Sequence, residues 1–234
     1  MTTIVLKSVF KSFEVGSTLL PVVHDMSLNI GHGDMVAIMG PSGSGKSTLM
    51  NIMGLLDRPT SGSLYLDGLD VSKLAENDRA KLRGQSIGFV FQAYNLLPRY
   101  TAIDNVKLPL VYAGVSETER TKRAKRMLEL LGMGHRIDHF PHQLSGGEQQ
   151  RVAIARAMIA SPGLILADEP TGAVDSRTGR EILALFSTLH RCGQTVVIVT
   201  HDANVAACCG RTIRVMDGRV VEDTAEIPGE GIAA

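Results

Sequence analysis

The 234-residue chain lacks the features of nucleic-acid-binding and membrane-spanning proteins. Its 24 Lys and Arg residues are balanced by 24 Asp and Glu, so there is no cationic excess with which to bind a phosphate backbone. No apolar run approaches the roughly 20 residues that a membrane-spanning helix needs. Residues Leu164–Ala167 and Val196–Val199 are instead typical of buried strands. We therefore expect a protein that does not bind nucleic acid and does not itself cross a membrane.

Cysteine and targeting signals are equally scarce. The three cysteines, Cys192, Cys208 and Cys209, form no CxxC motif, and a small odd number of cysteines is typical of a reducing compartment. The N-terminus has a short apolar run followed directly by Lys7, without the regions of a signal peptide. With 44% hydrophobic and 21% charged residues, the composition is that of a folded protein. We expect a compact protein of the cytosol.

What the sequence does contain is an alternation of β-rich and helix-periodic runs, which predicts an α/β fold. The predicted strands are Thr3–Val9, Met35–Met39, Ser63–Leu66, Ile87–Phe91, Leu164–Ala167, Thr195–Thr200 and Thr212–Met216. Helices are predicted from about Glu148 to Ala160 and around Ile182–Leu189, the second capped by Asp175 or Ser176. Residues 93–161 carry little strand signal and predict a helical subdomain inserted into a core of residues 1–92 and 162–222. Residues 223–234 predict a loose tail.

A glycine-rich segment directly follows the predicted strand Met35–Met39. It reads Gly40-Pro41-Ser42-Gly43-Ser44-Gly45-Lys46-Ser47-Thr48 and matches the phosphate-loop pattern between a strand and a helix. The glycines allow backbone N–H groups to surround phosphate oxygens. Lys46 would reach the β- and γ-phosphates, and the Ser47 hydroxyl would coordinate Mg²⁺. This loop alone does not choose between kinases, GTPases and motor ATPases.

Polar side chains follow three other predicted strands. Asp168 and Glu169 end an apolar strand, where Asp168 would hold Mg²⁺ and Glu169 would face an attacking water as general base. Gln92 follows Ile87–Phe91 and could contact Mg²⁺ and the water. His201 follows Thr195–Thr200 and could donate to a γ-phosphate oxygen. Either residue alone would be an ordinary hydrogen-bonded strand end, and their shared sheet edge with the carboxylates favours a site.

A second glycine-rich segment precedes the predicted helix near Glu148. In Leu144-Ser145-Gly146-Gly147-Glu148-Gln149-Gln150, a serine hydroxyl and two glycine N–H groups would form another anion site at a helix N-terminus. A chain with one phosphate loop needs only one phosphate-binding site for its own nucleotide. We infer that this second site acts on the nucleotide of a neighbouring molecule.

Together these motifs, in this order, resemble the ATP-binding subunits of ABC transporters, from about Thr3 to Glu222. The resemblance implies a P-loop NTPase with a RecA-like core, an N-terminal antiparallel β subdomain and an inserted α-helical subdomain. It implies ATP hydrolysis with Mg²⁺ by a head-to-tail dimer. Each of two ATP molecules would lie between the phosphate loop of one subunit and Ser145–Gly147 of the other.

The same resemblance assigns two further positions. Phe13 stands where an aromatic residue stacks on adenine in this family, although Tyr is more usual there. Gly172-Ala173-Val174-Asp175 matches the family's D-loop, with Val174 where Leu is common. Asp175 has a competing role as a helix cap, and both roles can hold together.

The motifs around Gly54–Asp57, Phe91–Pro98 and Leu166–Ala173 resemble the branch that contains macrolide-efflux and lipoprotein-releasing ATPases. This implies a separate membrane permease docked near Tyr94–Thr101, at the cytoplasmic face of the plasma membrane. A periplasmic adaptor is frequent in such systems. The alternative is a non-transport ABC ATPase that regulates a cell-envelope partner through a membrane protein. DNA-repair and translation ATPases of the superfamily usually carry coiled-coil insertions or tandem ATPase domains, which are not seen here.

Overall fold

The computed structural model describes residues 4–225, and its strands form two sheets of different kinds. The strands are β1 Ile4–Val15, β2 Thr18–Ile30, β3 Met35–Met39, β4 Ser61–Leu66, β5 Leu69–Asp70, β6 Ile87–Phe91, β7 Leu164–Asp168, β8 Thr195–Thr200, β9 Arg211–Met216 and β10 Arg219–Asp223. The helices are α1 Lys46–Met53, α2 Glu76–Ser86, α3 Ala102–Tyr112, α4 Glu117–Leu130, α5 Gly146–Met158, α6 Ser176–Arg191 and α7 Ala203–Ala206. Short 3₁₀ turns span Gly134–Arg136 and Pro141–Gln143. The predicted α/β class is confirmed.

The N-terminal sheet is antiparallel, with the strand order β2-β1-β4-β5. Strand β1 continues to Val15, beyond the predicted end at Val9, and pairs with β2 on one side and β4 on the other. Strands β2 and β5 of this sheet, and β10 of the second sheet, are missing from the predicted set. In β2 the buried Met26, Leu28 and Ile30 alternate with exposed residues, which is the period of a strand covered on one face.

The second sheet has the order β10-β9-β3-β8-β7-β6, and all its strands except β10 run parallel. Successive residues of its central strands enter different apolar clusters. In β7, Leu164 and Leu166 pack on the side of α1, whereas Ile165 and Ala167 pack on the side of α5. Because both faces are covered, the strand needs no polar alternation.

Three helices and two short 3₁₀ turns, without a strand, make up the regular structure of residues 93–161. Helix α5 begins at Gly146, two residues before the predicted start. Its Val152 and Ala155 belong to the same apolar cluster as Ile165 of the parallel sheet, so this helix also covers the core. The predicted division into subdomains stays a prediction. No helix formed by residues 4–225 has the length and apolar character needed to cross a membrane.

The C-terminal segment differs from the predicted tail at its beginning. Asp223 ends strand β10, and its carboxylate pairs with the Arg211 guanidinium at 2.6 Å. The Thr224 N–H donates to the Thr212 carbonyl oxygen. These residues therefore extend the sheet, and residues 226–234 of the predicted tail lie outside the described residues.

Four parallel strands end at one level of the sheet. Met39 pairs with Thr200, Val199 with Asp168, and Asp168 with Phe91. The residues that follow these strands therefore emerge together at the carboxyl edge, where open α/β sheets bind ligands.

Candidate active site

A cavity of about 690 Å³ lies at this carboxyl edge. It is lined by Val22, Pro41, Ser42, Gly43, Gly45, Lys46, Ser47, Thr48, Gln92, Asp168, Glu169, Val199 and His201. The structure thus brings the glycine-rich loop and the residues after three other strands around one space. Val22, on strand β2, lines the cavity but is missing from the predicted site. The alternation of apolar and polar residues farther along β2 was the sequence signal that could have revealed this strand.

The glycine-rich loop is packed too closely for other residues at two positions. A Cβ on Gly40 would lie 2.1 Å from the Val215 carbonyl oxygen, and Gly40 has φ +158°. A Cβ on Gly45, at φ +95°, would lie 2.9 Å from the Val22 carbonyl oxygen. Only glycine avoids both the clash and the backbone strain. Gly40 packs against Ser44 and is not among the residues that line this cavity.

Two buried polar groups lie within this loop. The Ser44 hydroxyl has no hydrogen-bond partner among residues 4–225, although its side chain is almost fully buried. The Lys46 ammonium donates to the carbonyl oxygens of Gly40 and Pro41, both at 2.7 Å. Lys46 also begins helix α1, whose N-cap Gly45 provides no side-chain cap. A buried cation at an uncapped helix N-terminus is suited to a phosphate group.

The acidic side of the cavity is suited to a divalent cation. Burial, and then the neighbouring Glu169 carboxylate, raises the pKa of Asp168, which Lys46 only partly offsets. Asp168, Ser47 and Gln92 offer oxygen atoms to the same cavity, and oxygen is the donor that Mg²⁺ prefers. The group therefore fits Mg²⁺, and the assignment of these residues as ligands stays a prediction.

Glu169 is held in a fixed orientation beside this acidic group. Its backbone is left-handed, at φ +43°, and its N–H donates to the Val199 carbonyl oxygen at 2.9 Å. Its carboxylate accepts hydrogen bonds from the His201 N–H at 2.9 Å and the Thr200 hydroxyl at 3.0 Å. A carboxylate at the edge of a phosphate-binding cavity can accept a proton from water.

The end of strand β8 orients that carboxylate. His201 Nδ1 lies 2.6 Å from Glu169 Oε1, so the histidine contacts the predicted general base. The Thr200 hydroxyl accepts from the Asp202 N–H, which leaves its single proton for Glu169. Thr200 is missing from the predicted site. Its position beside His201 at the end of a buried strand was the only sequence signal.

The second glycine-rich segment lies elsewhere. Within the described residues, the cavity lining does not include Ser145, Gly146 or Gly147. The Ser145 hydroxyl accepts from the Glu148 N–H, and the Glu148 carboxylate accepts from the Ser145 N–H. This reciprocal capping box fixes the first turn of α5.

Two predicted positions also lie outside the cavity. Asp175 caps helix α6, since its carboxylate accepts from the N–H groups of Arg177 and Thr178. The hydroxyl of Thr178 is the main cause that lowers the pKa of Asp175. The cap role is confirmed, whereas the D-loop role stays a prediction. Phe13 lies on β1 with an exposed ring, and the Lys11 ammonium lies 4.8 Å from its centroid.

A second cavity of about 400 Å³ lies beside the segment after Gln92. It is lined by Leu56, Arg83, Gly84, Ile87, Gly88, Phe89, Phe91, Asn95, Leu108, Pro109, Tyr112, Arg156, Ala157 and Ala160. We call this surface the α5 groove. Its described lining contains two guanidinium groups and no carboxylate. Of the predicted docking segment Tyr94–Thr101, only Asn95 lines it.

Comparisons with known proteins agree on one family. A family model described as ABC transporter matches residues 23–172. The macrolide export ATP-binding/permease protein MacB of Shewanella sp. strain ANA-3 is 51% identical over 225 residues, which are 96% of this chain and 34% of that protein. The ABC transporter ATP-binding protein YknY of Bacillus subtilis strain 168 is 51% identical over 92% of this chain and 94% of its own length.

The chain therefore spans about a third of the MacB relative and nearly all of YknY. Among solved structures, a dimeric post-hydrolysis state of the ATP-binding cassette MJ0796 bound to ADP and Pi has a TM-score of 0.88 with 46% identity. That match covers 94% of this chain and 97% of the other. A second dimeric MJ0796 structure also has a TM-score of 0.88. These matches confirm the predicted P-loop ATPase fold.

Proposed function

The chain belongs to the ABC transporter family and is an ATP hydrolase of that family, and we propose that it works as a head-to-tail dimer that drives a membrane permease. The permease would be of the macrolide-export or lipoprotein-release type. The observation that carries this proposal is the gathering of Lys46, Asp168, Glu169 and His201 around one cavity. The Ser145–Gly147 segment stays apart from that cavity.

Within one chain, one side of the cavity would bind the phosphates, and the other side would hold Mg²⁺ and act on the attacking water. Lys46 and the first turn of α1 would bind the β- and γ-phosphates, and Ser47, Gln92 and Asp168 would hold Mg²⁺. The metal would neutralise charge on the phosphate oxygens. Glu169 would accept a proton from the attacking water, in an orientation set by Thr200 and His201.

The separate position of Ser145–Gly147 supports the proposed dimer. A capped helix N-terminus with two glycines is suited to a phosphate, yet among the described residues it does not line the cavity that holds Lys46. A second copy placed head to tail would supply one. The γ-phosphate would then bridge two subunits, and its loss on hydrolysis would remove charge-assisted contacts from both sides of the interface. The dimeric state of the similar MJ0796 cassettes supports this arrangement.

The α5 groove supports a permease partner. Its aromatic and aliphatic walls, with Arg83 and Arg156, fit an apolar segment that carries a carboxylate. The MacB relative is named as an ATP-binding/permease protein, which supports a permease for this chain as well. We propose a permease on a separate chain at the cytoplasmic face of the plasma membrane, with a periplasmic adaptor in systems that use one.

Replacing Glu169 by Gln tests the catalytic and dimer assignments together. The Glu169→Gln variant should lose ATP turnover and accumulate as an ATP-bound dimer, because it keeps the phosphate contacts and loses the base. Turnover is measured by phosphate release, and dimer by sedimentation with and without ATP. Glu129→Gln, at an exposed position of α4, is the matched control. Normal hydrolysis by Glu169→Gln would contradict the general-base role.

The permease assignment needs a separate test, because a regulatory ABC ATPase would have the same catalytic residues. The Glu169→Gln chain, loaded with ATP, is used to capture membrane proteins from its own cells. Recovery of an integral membrane protein with a cargo-binding domain supports transport. Recovery of a cell-wall or division protein through a membrane subunit supports the regulatory alternative.

A further inference from the structure

Tyr94 lies where three segments of the chain meet. Its hydroxyl donates to the Ala173 carbonyl oxygen at 3.0 Å, in the segment 169–175 that we call the Asp175 loop. A Cβ on Gly146 would lie 2.7 Å from the same hydroxyl oxygen. One side-chain atom therefore contacts both the Asp175 loop and the first turn of α5. Burial raises the pKa of Tyr94, so the phenol stays protonated and able to donate.

The backbone of Tyr94 is held by the other end of α5. Tyr94 and Asn95 are both left-handed, at φ +60° and +50°, which is uncommon for residues other than glycine. The Arg156 guanidinium donates to their carbonyl oxygens, at 2.8 Å for Tyr94 and 2.6 Å for Asn95. Helix α5 thus contacts Tyr94 at two points. Arg156 binds the main chain of Tyr94, and Gly146, in the first turn of α5, lies against the Tyr94 hydroxyl.

Two further contacts make this junction tight. The fully buried Gln150, in the middle of α5, donates from Nε2 to the Pro170 carbonyl oxygen at 2.7 Å. A Cβ on Gly172 would lie 2.6 Å from Gln92 Nε2, so the Gln92 side chain packs directly on the Asp175 loop. Side chains from α5 and from the segment after β6 therefore hold this loop along its length.

We propose that Tyr94 is a positioning residue that fixes the Asp175 loop against Ser145–Gly147 before two chains associate. This inference rests on the proposed ATP-dependent dimer, in which Ser145–Gly147 face the partner. The Asp175 loop packs beside them, since a Cβ on Gly146 would lie 3.3 Å from the Ala173 carbonyl oxygen. Segments that are already ordered lose less conformational freedom on association, so the tie from Tyr94 favours the dimer.

The first test measures how much ATP the dimer requires. Tyr94→Phe removes only the hydroxyl and is made in the Glu169→Gln background, where turnover does not deplete ATP. The concentration of ATP for half-maximal dimerisation, measured by sedimentation, should rise about 3- to 10-fold, the effect expected of one lost hydrogen bond. Tyr100→Phe is the matched control, because the Tyr100 hydroxyl has no hydrogen bond among residues 4–225.

A second readout separates positioning from a general structural defect. Binding of a fluorescent ATP analogue, at protein concentrations too low for dimerisation, should be unchanged in Tyr94→Phe, because Tyr94 does not line the 690 Å³ cavity. An unchanged or lower ATP requirement for dimerisation overturns the inference. A loss of analogue binding overturns it as well. A Glu169→Gln chain that stays monomeric with ATP contradicts the proposed dimer itself.

The contact at Gly146 is tested without any dimer. Gly146→Ala should lower the melting temperature of the otherwise unchanged chain, because its Cβ would meet the Tyr94 hydroxyl. The loss should be smaller in the Tyr94→Phe background, where that oxygen is absent. The helix propensity of alanine is the same in both backgrounds and cancels. Equal losses in the two backgrounds overturn the positioning role of Tyr94.

Discussion

Helices α1 and α5 both begin with a glycine-rich turn suited to an anion, yet the two turns are built differently. Helix α1 has Gly45 as its N-cap and no side-chain cap, and its buried Lys46 lies in a cavity with Asp168 and Glu169. Helix α5 begins with a capping box between Ser145 and Glu148. The first end leaves backbone donors for a ligand in its own chain. The second is already ordered by its own side chains.

We infer from this difference in capping that the α1 end binds the nucleotide and that the α5 end acts in the assembly of the dimer. An uncapped helix end beside a buried cation gains most from a phosphate, because the phosphate satisfies donors that the protein leaves open. A capped end gains less from binding, but it keeps its shape without a ligand. We therefore expect substitutions at α1 to affect nucleotide binding by a single chain. Substitutions at α5 should affect the association of two chains.

The largest effect is expected from Lys46→Ala, which changes the helix end proposed to bind the nucleotide of its own chain. The ammonium is a charge-assisted donor at the phosphate site, so its removal should weaken ATP binding by a single chain about 10- to 100-fold. Binding is measured with a fluorescent ATP analogue at low protein concentration. Lys125→Ala, at an exposed position of α4, is the matched control. Unchanged affinity in Lys46→Ala would show that the Lys46 ammonium does not bind the phosphates.

The residues around the cavity beside α1 could be predicted because they follow strands that are buried on both faces. The bounds Met35–Met39, Ile87–Phe91 and Thr195–Thr200 are the same in the sequence prediction and in the structure. Continuous apolar runs define such strands, and the register of the sheet then places Gln92 and His201 at one edge. The partners of Glu169 could not be read in this way, because hydrogen bonds to Thr200 depend on the left-handed turn at Glu169.

Of the three strands that the sequence prediction missed, β2 carried an alternation of buried and exposed residues, whereas β5 and β10 are short or mostly exposed. Strand β10 has no fully buried residue, and β5 has only two residues, so neither has a hydrophobic period. Their turns did carry a signal. Asp67-Gly68 and Asp217-Gly218 both have positive φ at the two positions, as expected for Asp-Gly hairpin turns. The contact of Tyr94 with Ala173 joins residues 79 positions apart and has no local pattern.

A second prediction concerns the N-terminus of α5, which we propose binds the nucleotide of a partner chain. Ser145→Ala removes the serine hydroxyl from the proposed phosphate contact and from the capping box. Single-chain ATP binding should be unchanged, while the ATP requirement for dimerisation of the Glu169→Gln chain should rise about 10-fold, the effect of a hydrogen bond to a charged group. The two measurements are a fluorescent-analogue titration and sedimentation. Weakened single-chain binding would mean that α5 contacts the nucleotide of its own chain.

A third prediction concerns how the α1 cavity orients its carboxylate. Thr200→Val keeps the shape of the buried side chain and removes the hydroxyl that donates to Glu169. Turnover at saturating ATP should fall about 3- to 10-fold, with little change in KM, because Glu169 loses this hydrogen bond and the phosphate contacts remain. The Asp202 N–H also loses its acceptor in the Val variant. Thr200→Ser should restore most of the turnover. Equal turnover of the Val and Ser variants would contradict this role.

The smallest effect is expected at Glu148 and depends on pH. The pKa of Glu148 is lowered, mainly by the main-chain N–H of Ser145. Its charged form therefore stabilises the folded chain above the unfolded pKa of about 4.3, and this contribution is lost as the pH falls through the lowered pKa. Glu148→Gln should reduce the free energy of unfolding at pH 7 by about 0.5–1 kcal/mol, since Gln keeps the cap but loses the charge and the ion pair with Arg136.

Urea unfolding of Glu148→Gln and of the original chain, from pH 7 downward, measures this contribution. The difference between the two curves should shrink as Glu148 in the original chain becomes protonated. Glu129→Gln should show no such difference at any pH, because Glu129 is exposed and forms no ion pair within residues 4–225. A difference at Glu148 that stays constant with pH would mean that the carboxylate charge does not order the first turn of α5. The contrast between the two helix ends would then rest on Ser145 alone.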